Sequence, residues 1–487
     1  MKIELVYAIL TYSAIAFVMA WAVVFTQMAF VSAATRFGRR LLPMVPVLGW
    51  ASMALTNLFS KRNLNSLGLD SNPVGDGGSA WINRGLTAVL MAIAVAKIVE
   101  ALYSRRRKRG AQVVLTADER ANRRLFVAMV AYLVGSLALP MMFSANPGFV
   151  HDGIPAALAM VAVYTARRDS LDNFIAGAKW TLFIVMLGGL VVAAVHPDLA
   201  VETSYTAGWI PGLHLRLWGL AAHANALGAL ALYLILLLVL QPARRLSINL
   251  LMWGVVLLAL LLAQSKTSWL SAVLVGVVML AYGWGRDPRG GLRPSFIIAL
   301  LVGLAGFAAA MLFLDTSRLF DHFMDTDTGT RLTTLTGRTE IWTAAYNMWQ
   351  DSPFFGYGLE AWAPLHRIQL GLPFATQAHN QLMQALALGG VFDLLPLLVY
   401  LGLLAAGAAR AARRTRGVTL AFMVMFLFRG ITEVPFDFGL VTGSDVLAQL
   451  LLFALVVNEY RPPAVAEASA AGVALRTMPL HAWGQAS

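Results

Sequence analysis

Leu227-Gly228-Ala229-Leu230-Ala231-Leu232-Tyr233-Leu234-Ile235-Leu236-Leu237-Leu238-Val239-Leu240 carries no charge, and its only polar side-chain atom is one phenol oxygen. With the residues before it, 216–240 form an apolar stretch long enough to cross the hydrocarbon of a bilayer, which takes about 20 residues as a helix. Similar stretches lie near 5–30, 41–60, 83–103, 122–143, 149–166, 175–196, 247–264, 267–284 and 295–314, and again near 380–409, 418–432 and 438–457. Of the 487 residues, 59% are hydrophobic and 13% charged, with a mean hydropathy of +0.69. Soluble domains carry about a quarter charged residues, so this chain cannot hide its apolar side chains in one water-soluble core. A membrane β-barrel would show segments of about ten residues alternating in polarity, and none occur. The chain therefore reads as an all-α polytopic membrane protein.

The net charge of +12 does not point to nucleic acid, because basic residues gather in short connections between spans. Several connections are strongly basic: Arg105-Arg106-Arg107-Lys108-Arg109, Arg167-Arg168, Arg244-Arg245, Arg286 with Arg289 and Arg293, and Arg410 with Arg413, Arg414 and Arg416. These alternate with connections such as Ser144–Asp152 and Pro197–Leu215 that are nearly free of Lys and Arg, which by the positive-inside rule puts the basic set in the cytosol. Parity breaks only near the N-terminus, where Lys61-Arg62 confuses the count. The run from Leu5 to Phe30 is too long for a signal-peptide core and reads as a retained first span. Without cysteine no disulfide or thiolate metal site is available. No inverted repeat of the transporter kind is evident.

Against this background, the polar segment Asp315–Gln377 is an exception, since long connections without evident regular structure are usually functional or disordered. It divides the chain into N-terminal spans (1–314), one large non-cytosolic loop (315–378), C-terminal spans (379–460) and a flexible cytosolic tail (461–487). The loop contains Gly337-Arg338-Thr339-Glu340-Ile341-Trp342 and Phe355-Gly356-Tyr357-Gly358, and it closes on Ala378-His379-Asn380-Gln381.

Polar groups at membrane depth or at its surface call for a reason. His379 opens the next helix, where Met383 and Leu386 share its face. It can be a general base near neutral pH, or His379 and Asn380 can simply cap the helix; position alone does not choose. Arg338 precedes a helical stripe of Ile341, Trp342, Ala345, Met348 and Trp349, read as an amphipathic helix on the outer leaflet. Its guanidinium suits phosphate, although a snorkelling arginine on lipid headgroups weighs somewhat more without context. Arg216 begins a helix on whose face Leu220 and His223 also lie, and Lys266 sits in the tight turn Gln264–Ser268. Three cations and a histidine near one outer surface suit a lipid-linked pyrophosphate. Asp325-Thr326-Asp327 reads as a solvated loop, because two carboxylates make a poor site for hard cations that want six or more oxygens. The tryptophans and tyrosines read as an interfacial belt.

Taken in order, Arg216…Gly219…His223-Ala224-Asn225…Gly228, Gln264-Ser265-Lys266, Gly337-Arg338…Trp342, Pro353…Gly356-Tyr357-Gly358 and His379-Asn380 resemble the O-antigen ligase and polymerase superfamily. The likeness spans residues 210–440, while the first half of the chain matches only as hydrophobic spans. The resemblance implies a GT-C-like inner-membrane glycosyltransferase with about twelve transmembrane helices, cytosolic termini and a large helix-containing periplasmic loop that carries the active site. It implies metal-independent inverting transfer, with no cofactor, of a glycan from undecaprenyl diphosphate to lipid A–core, completing lipopolysaccharide. By that likeness His379 activates the acceptor hydroxyl and Arg338 binds the donor diphosphate. Lys266 stands where many members have arginine, which keeps the charge but loses the fork. Arg216, His223, Asn380 and Glu433 complete the substrate-binding set, with membrane lipids as surroundings. The alternative is a polymerase joining repeat units on the same carrier. A lipid or glycan transporter would need charged or interrupted helices near the midplane, which are scarce. Three spans after the His-Asn helix favour the ligase.

Overall fold

A computed structural model of the chain describes residues 41–60, 62–65, 77–106, 116–165, 171–203, 213–283, 338–373, 375–438 and 444–458, with positions 21, 205 and 210. The stretch 5–30 apart from position 21, the stretch 295–314, the Asp325-Thr326-Asp327 pair and the tail from 459 lie outside the described residues. So do Gly337 and the arginines Arg286, Arg289 and Arg293.

The described chain is mostly helical. In order, the helices are α1 (Met44–Leu58), α2 (Gly77–Arg106), α3 (Ala117–Phe143, with a π-turn at Val134–Ala138), α4 (Ile154–Thr165), α5 (Leu171–Val195), α6 (Ala224–Leu240), α7 (Leu246–Leu262) and α8 (Lys266–Gly283). They continue with α9 (Arg338–Asp351), α10 (Pro364–Gln369), α11 (Gln381–Gly389), α12 (Val391–Ala412), α13 (Val418–Arg429) and α14 (Ser444–Val457). The strands among the described residues are β1 (Val201–Glu202) and β2 (Arg216–Leu217), antiparallel with Glu202 opposite Arg216. Four helices, α2, α3, α5 and α12, are long and apolar enough to cross a membrane by length and composition, and seven others are shorter apolar helices.

The opening run becomes α6, and it is the centre of the bundle. Leu227, Leu230, Leu232, Leu234, Leu236, Leu237 and Leu238 are all buried, as expected of a helix that is hydrophobic all round. Helices α5, α7, α8, α13 and α14 pack about it. The outer helices present apolar side chains outward instead: Ile184 and Val191 on α5, Leu250 and Leu257 on α7, Val273 on α8 and Val399 on α12. In water such a surface would be costly, whereas lipid tails cover it without penalty. The protein is a multi-pass membrane protein.

Polar connections gather at two opposite ends. At one end Lys179 Nζ donates to Gln241 O (2.7 Å) and Arg414 Nη2 to Val456 O (3.4 Å), beside the described basic connections 244–245 and 410–416. The other end collects 144–146, 196–203, 213–223, 263–267, 353–373, 375–380 and 430–437. There Arg62 is 4% exposed and donates to Leu199 O (2.8 Å), Ala221 O (2.8 Å) and Gly219 O (2.6 Å). Burial lowers its pKa to about 10, so it stays charged at neutral pH. The arginine that upset the topology count is thus an internal staple at the end opposite the basic connections.

The described part of the polar loop folds onto the bundle. Ile341, Ala345 and Met348 of α9 pack with Ala387 and Leu388 of α11 in a second small core, and Trp342 Nε1 donates to Ala378 O (3.0 Å). The stripe expected to lie on the outer leaflet is therefore buried against protein. Pro353–Gly358 forms a strap: Asn146 N donates to Tyr357 O (2.7 Å), Tyr357 N to Ala387 O (2.8 Å) and Val391 N to Pro353 O (2.9 Å). Gly356 and Gly358 have φ of +67° and +122°, a region that side chains rarely adopt. A Cβ on Gly358 would lie 2.5 Å from Asn146 O, so the Gly-x-Gly pattern is explained by backbone packing.

Candidate active site

The site is assembled at the end away from the described basic connections 244–245 and 410–416, from five segments: β2 with the start of α6, the start of α8, the start of α9, the turn before α11 and the loop after α13. Two local expectations change. Arg216 does not begin a helix; it lies in β2, and α6 starts only at Ala224 with His223 as its N-cap. His379 does not lie on the face of α11, because Asn380 is the N-cap, its Oδ1 accepting from Leu382 N and Met383 N. His379 precedes the cap with φ of +49°, a left-handed conformation uncommon outside glycine. That backbone turn, rather than helical spacing, sets the direction of the imidazole.

The turn brings His379 Nδ1 to 3.3 Å from Glu433 Oε2. Gln377 Nε2 lies 2.8 Å from the same carboxylate oxygen and 3.2 Å from His379 Nδ1. The other oxygen, Oε1, accepts from Asn225 Nδ2 (3.0 Å), and Asn225 Oδ1 accepts from Arg216 Nη2 (2.7 Å). An unbroken polar chain therefore runs Arg216–Asn225–Glu433–His379, with Gln377 bracing its last link. The side chain of His379 is 27% exposed and that of Glu433 only 9%, so the imidazole meets the outside while the carboxylate stands behind it. Burial pushes the Glu433 carboxyl up, but the hydrogen bond and charge of His379, then Arg429 and Arg338, hold it at about 2. It is ionised at any physiological pH. Assigning the His379 Nδ1 proton to this carboxylate leaves Nε2 unprotonated, the state a general base requires.

Cations surround this pair. Arg338, the first residue of α9, is half-buried and close enough to Glu433 to help lower its pKa. Arg216 stacks its guanidinium 4.6 Å from the Tyr205 ring centroid and donates through Nε to Ala263 O (3.2 Å). Lys266 opens α8 within electrostatic range of Arg216, and its neighbour Thr267 meets Thr432 (Oγ1–Oγ1, 3.4 Å). Helix α8 can come this near because Gly228 of α6 leaves room for Ser268, whose hydroxyl a methyl group there would strike.

His223 plays a different part. Its Nδ1 accepts from Asn225 N (3.1 Å), and burial, reinforced by Arg216, lowers its pKa to about 4. It is neutral at pH 7 and fixes Asn225, so the structure gives it a capping contact rather than a charge. Asn380 caps α11 and donates to Ile431 O (3.2 Å). All seven singled-out residues thus lie at one end. Arg216, Glu433 and His379 are hydrogen-bonded in series through Asn225, His223 holds Asn225, and Asn380 ties α11 to Ile431 O. Arg338 acts on Glu433, and Lys266 interacts with Arg216, through charge. Gln377 and Asn225 carry the links without having been assigned roles from sequence; both flank a candidate histidine by two residues, which was the available signal.

Residues 251–398 match the family model described as O-antigen ligase, and this match supports an O-antigen ligase-family assignment. The matched span includes Lys266, Arg338, His379 and Asn380, and stops before Glu433. A comparison with curated proteins found no match.

Proposed function

We propose that this chain, whose residues 251–398 match the O-antigen ligase family model, transfers O-antigen glycan from undecaprenyl diphosphate to lipid A–core at the periplasmic face of the inner membrane. The observation that carries this reading is the His379–Glu433 pair with Arg338 acting on Glu433, Arg216 joined to it through Asn225 and Lys266 within electrostatic range of Arg216. About twelve spans and a periplasmic position for the site belong to the same reading, supported by the place of the described basic connections 244–245 and 410–416 at the opposite end.

In this mechanism the acceptor hydroxyl oxygen attacks the anomeric carbon while the bond to the diphosphate breaks, and the hydroxyl proton passes to His379 Nε2. Attack opposite the leaving group inverts the anomeric centre. Negative charge grows on the departing diphosphate, so cations fixed around it stabilise the transition state more than the ground state. Glu433 holds the imidazole in orientation and stabilises the imidazolium as it forms. The reaction as drawn needs no metal.

The test mixes purified protein with an undecaprenyl-diphosphate glycan and lipid A–core, without divalent metal. Glycan on lipid A–core is expected, with His379→Ala slower by roughly 10²–10⁴-fold, the usual worth of a general base. Full activity in that variant would remove His379 from the mechanism. Longer glycans left on undecaprenyl diphosphate would instead identify a polymerase.

A further inference from the structure

The two halves of the His379–Glu433 pair belong to different segments, 54 residues apart in sequence, and neither segment is a regular element. His379 lies in the turn before α11 and Glu433 in the loop 430–438 after α13. What joins them is a set of side chains on the first turn of α11. Gln381 N donates to Gly430 O (2.8 Å), and Gln381 Oε1 accepts from Phe436 N (2.9 Å). Gln384 Oε1 accepts from Ala378 N (2.9 Å), and Gln384 Nε2 donates to Asp437 Oδ2 (2.9 Å). Both glutamines are buried, at 4% and 5% exposure, where an unpaired amide would be costly. Gln384 uses both ends of one amide to span the gap: its oxygen holds the residue before His379, and its nitrogen holds the loop four residues past Glu433.

We infer that Gln384, with Gln381, is a positioning residue that sets the register between His379 and Glu433 through a hydrogen-bonded clamp. Neither glutamine is placed against substrate; they act through the pair. The inference rests on the transferase reading for its effect on rate, whereas the clamp itself is a statement about local order.

The clamp can be broken and rebuilt by exchanging the polarity of one hydrogen bond. Gln384→Glu keeps an acceptor for Ala378 N but sets two carboxylates against each other at Asp437. Adding Asp437→Asn restores a donor–acceptor pair with the roles reversed, and Asp437→Asn alone serves as control. Two readouts apply to detergent-purified full-length protein. In hydrogen–deuterium exchange, Gln384→Glu should speed exchange in peptides covering 376–380 and 430–437, and the double variant should return both toward wild type. In glycan transfer, Gln384→Glu should lower kcat by about 10–100-fold, the scale of a 1 Å misplacement, with KM for the lipid-linked glycan within about twofold and recovery in the double variant. Unchanged exchange in both segments, or a double variant no more protected than Gln384→Glu, overturns the clamp. Restored exchange protection without restored kcat overturns its role in positioning. If wild-type protein makes no product at all, the transferase reading fails, while the exchange experiment still decides the clamp.

Discussion

Glu433 shows how one buried carboxylate can shape both rate and stability. Its folded pKa of about 2 lies below its ordinary value of 4.5. A depressed folded pKa contributes stability that is fully present above the unfolded value and is lost as pH falls through the folded one. The window is therefore between about 4.5 and 2, and Glu433→Gln should flatten the acid dependence of thermal unfolding there; an unaltered acid slope would contradict the pairing with His379. The same variant should slow glycan transfer without raising KM for the donor, since the carboxylate acts behind the imidazole. Arg338→Lys keeps charge but removes the planar fork. If the side chain grips two phosphate oxygens, transfer should fall by at least tenfold in a steady-state assay, whereas a wild-type rate would favour a headgroup contact. At this scale the polar residues were legible because ionisable groups stand out in an apolar chain. The links between them were not, since Asn225 and Gln377 are ordinary amides whose importance comes only from what they touch.

Among the elements, the strap Pro353–Gly358 and the helix α9 show what periodicity can and cannot decide. The spacing of Ile341, Ala345 and Met348 marks one face of a helix, and that helix exists. Periodicity names a buried face without naming what buries it, so lipid and α11 were equally compatible. Gly358→Ala imposes a side chain at φ +122° against Asn146 O and should cost about 1–3 kcal/mol, read as a lower unfolding temperature in detergent. Equal stability would mean the strap adjusts freely. Helix starts were also misplaced from sequence. Arg216 belongs to β2 because it pairs with Glu202 of β1, and the backbone that follows, 218–221, is held by Ala200 O and by Arg62, contacts from remote segments that no local pattern encodes.

Across the whole molecule, charge and hydropathy sort the chain into two polar ends and an apolar middle, and this sorting can be measured directly. The chain has no cysteine, so single cysteines report sidedness without background. Gln350→Cys on α9 and Arg244→Cys in the connection before α7 are both exposed. In intact cells with a permeable outer membrane, a membrane-impermeant maleimide should label the first and spare the second; the reverse pattern would invert the topology. The apolar runs that become the described helices and the grouping of Arg338 and His379 around one polar loop followed from composition and order alone. Hydrophobic transfer and the positive-inside bias act locally, so sequence records them. Only the tertiary structure turned His379 through a left-handed residue toward Glu433, made Arg62 an internal staple and closed the Arg216–Asn225–Glu433–His379 chain. Those features depend on hydrogen bonds between segments distant in sequence, whose partners are chosen by packing.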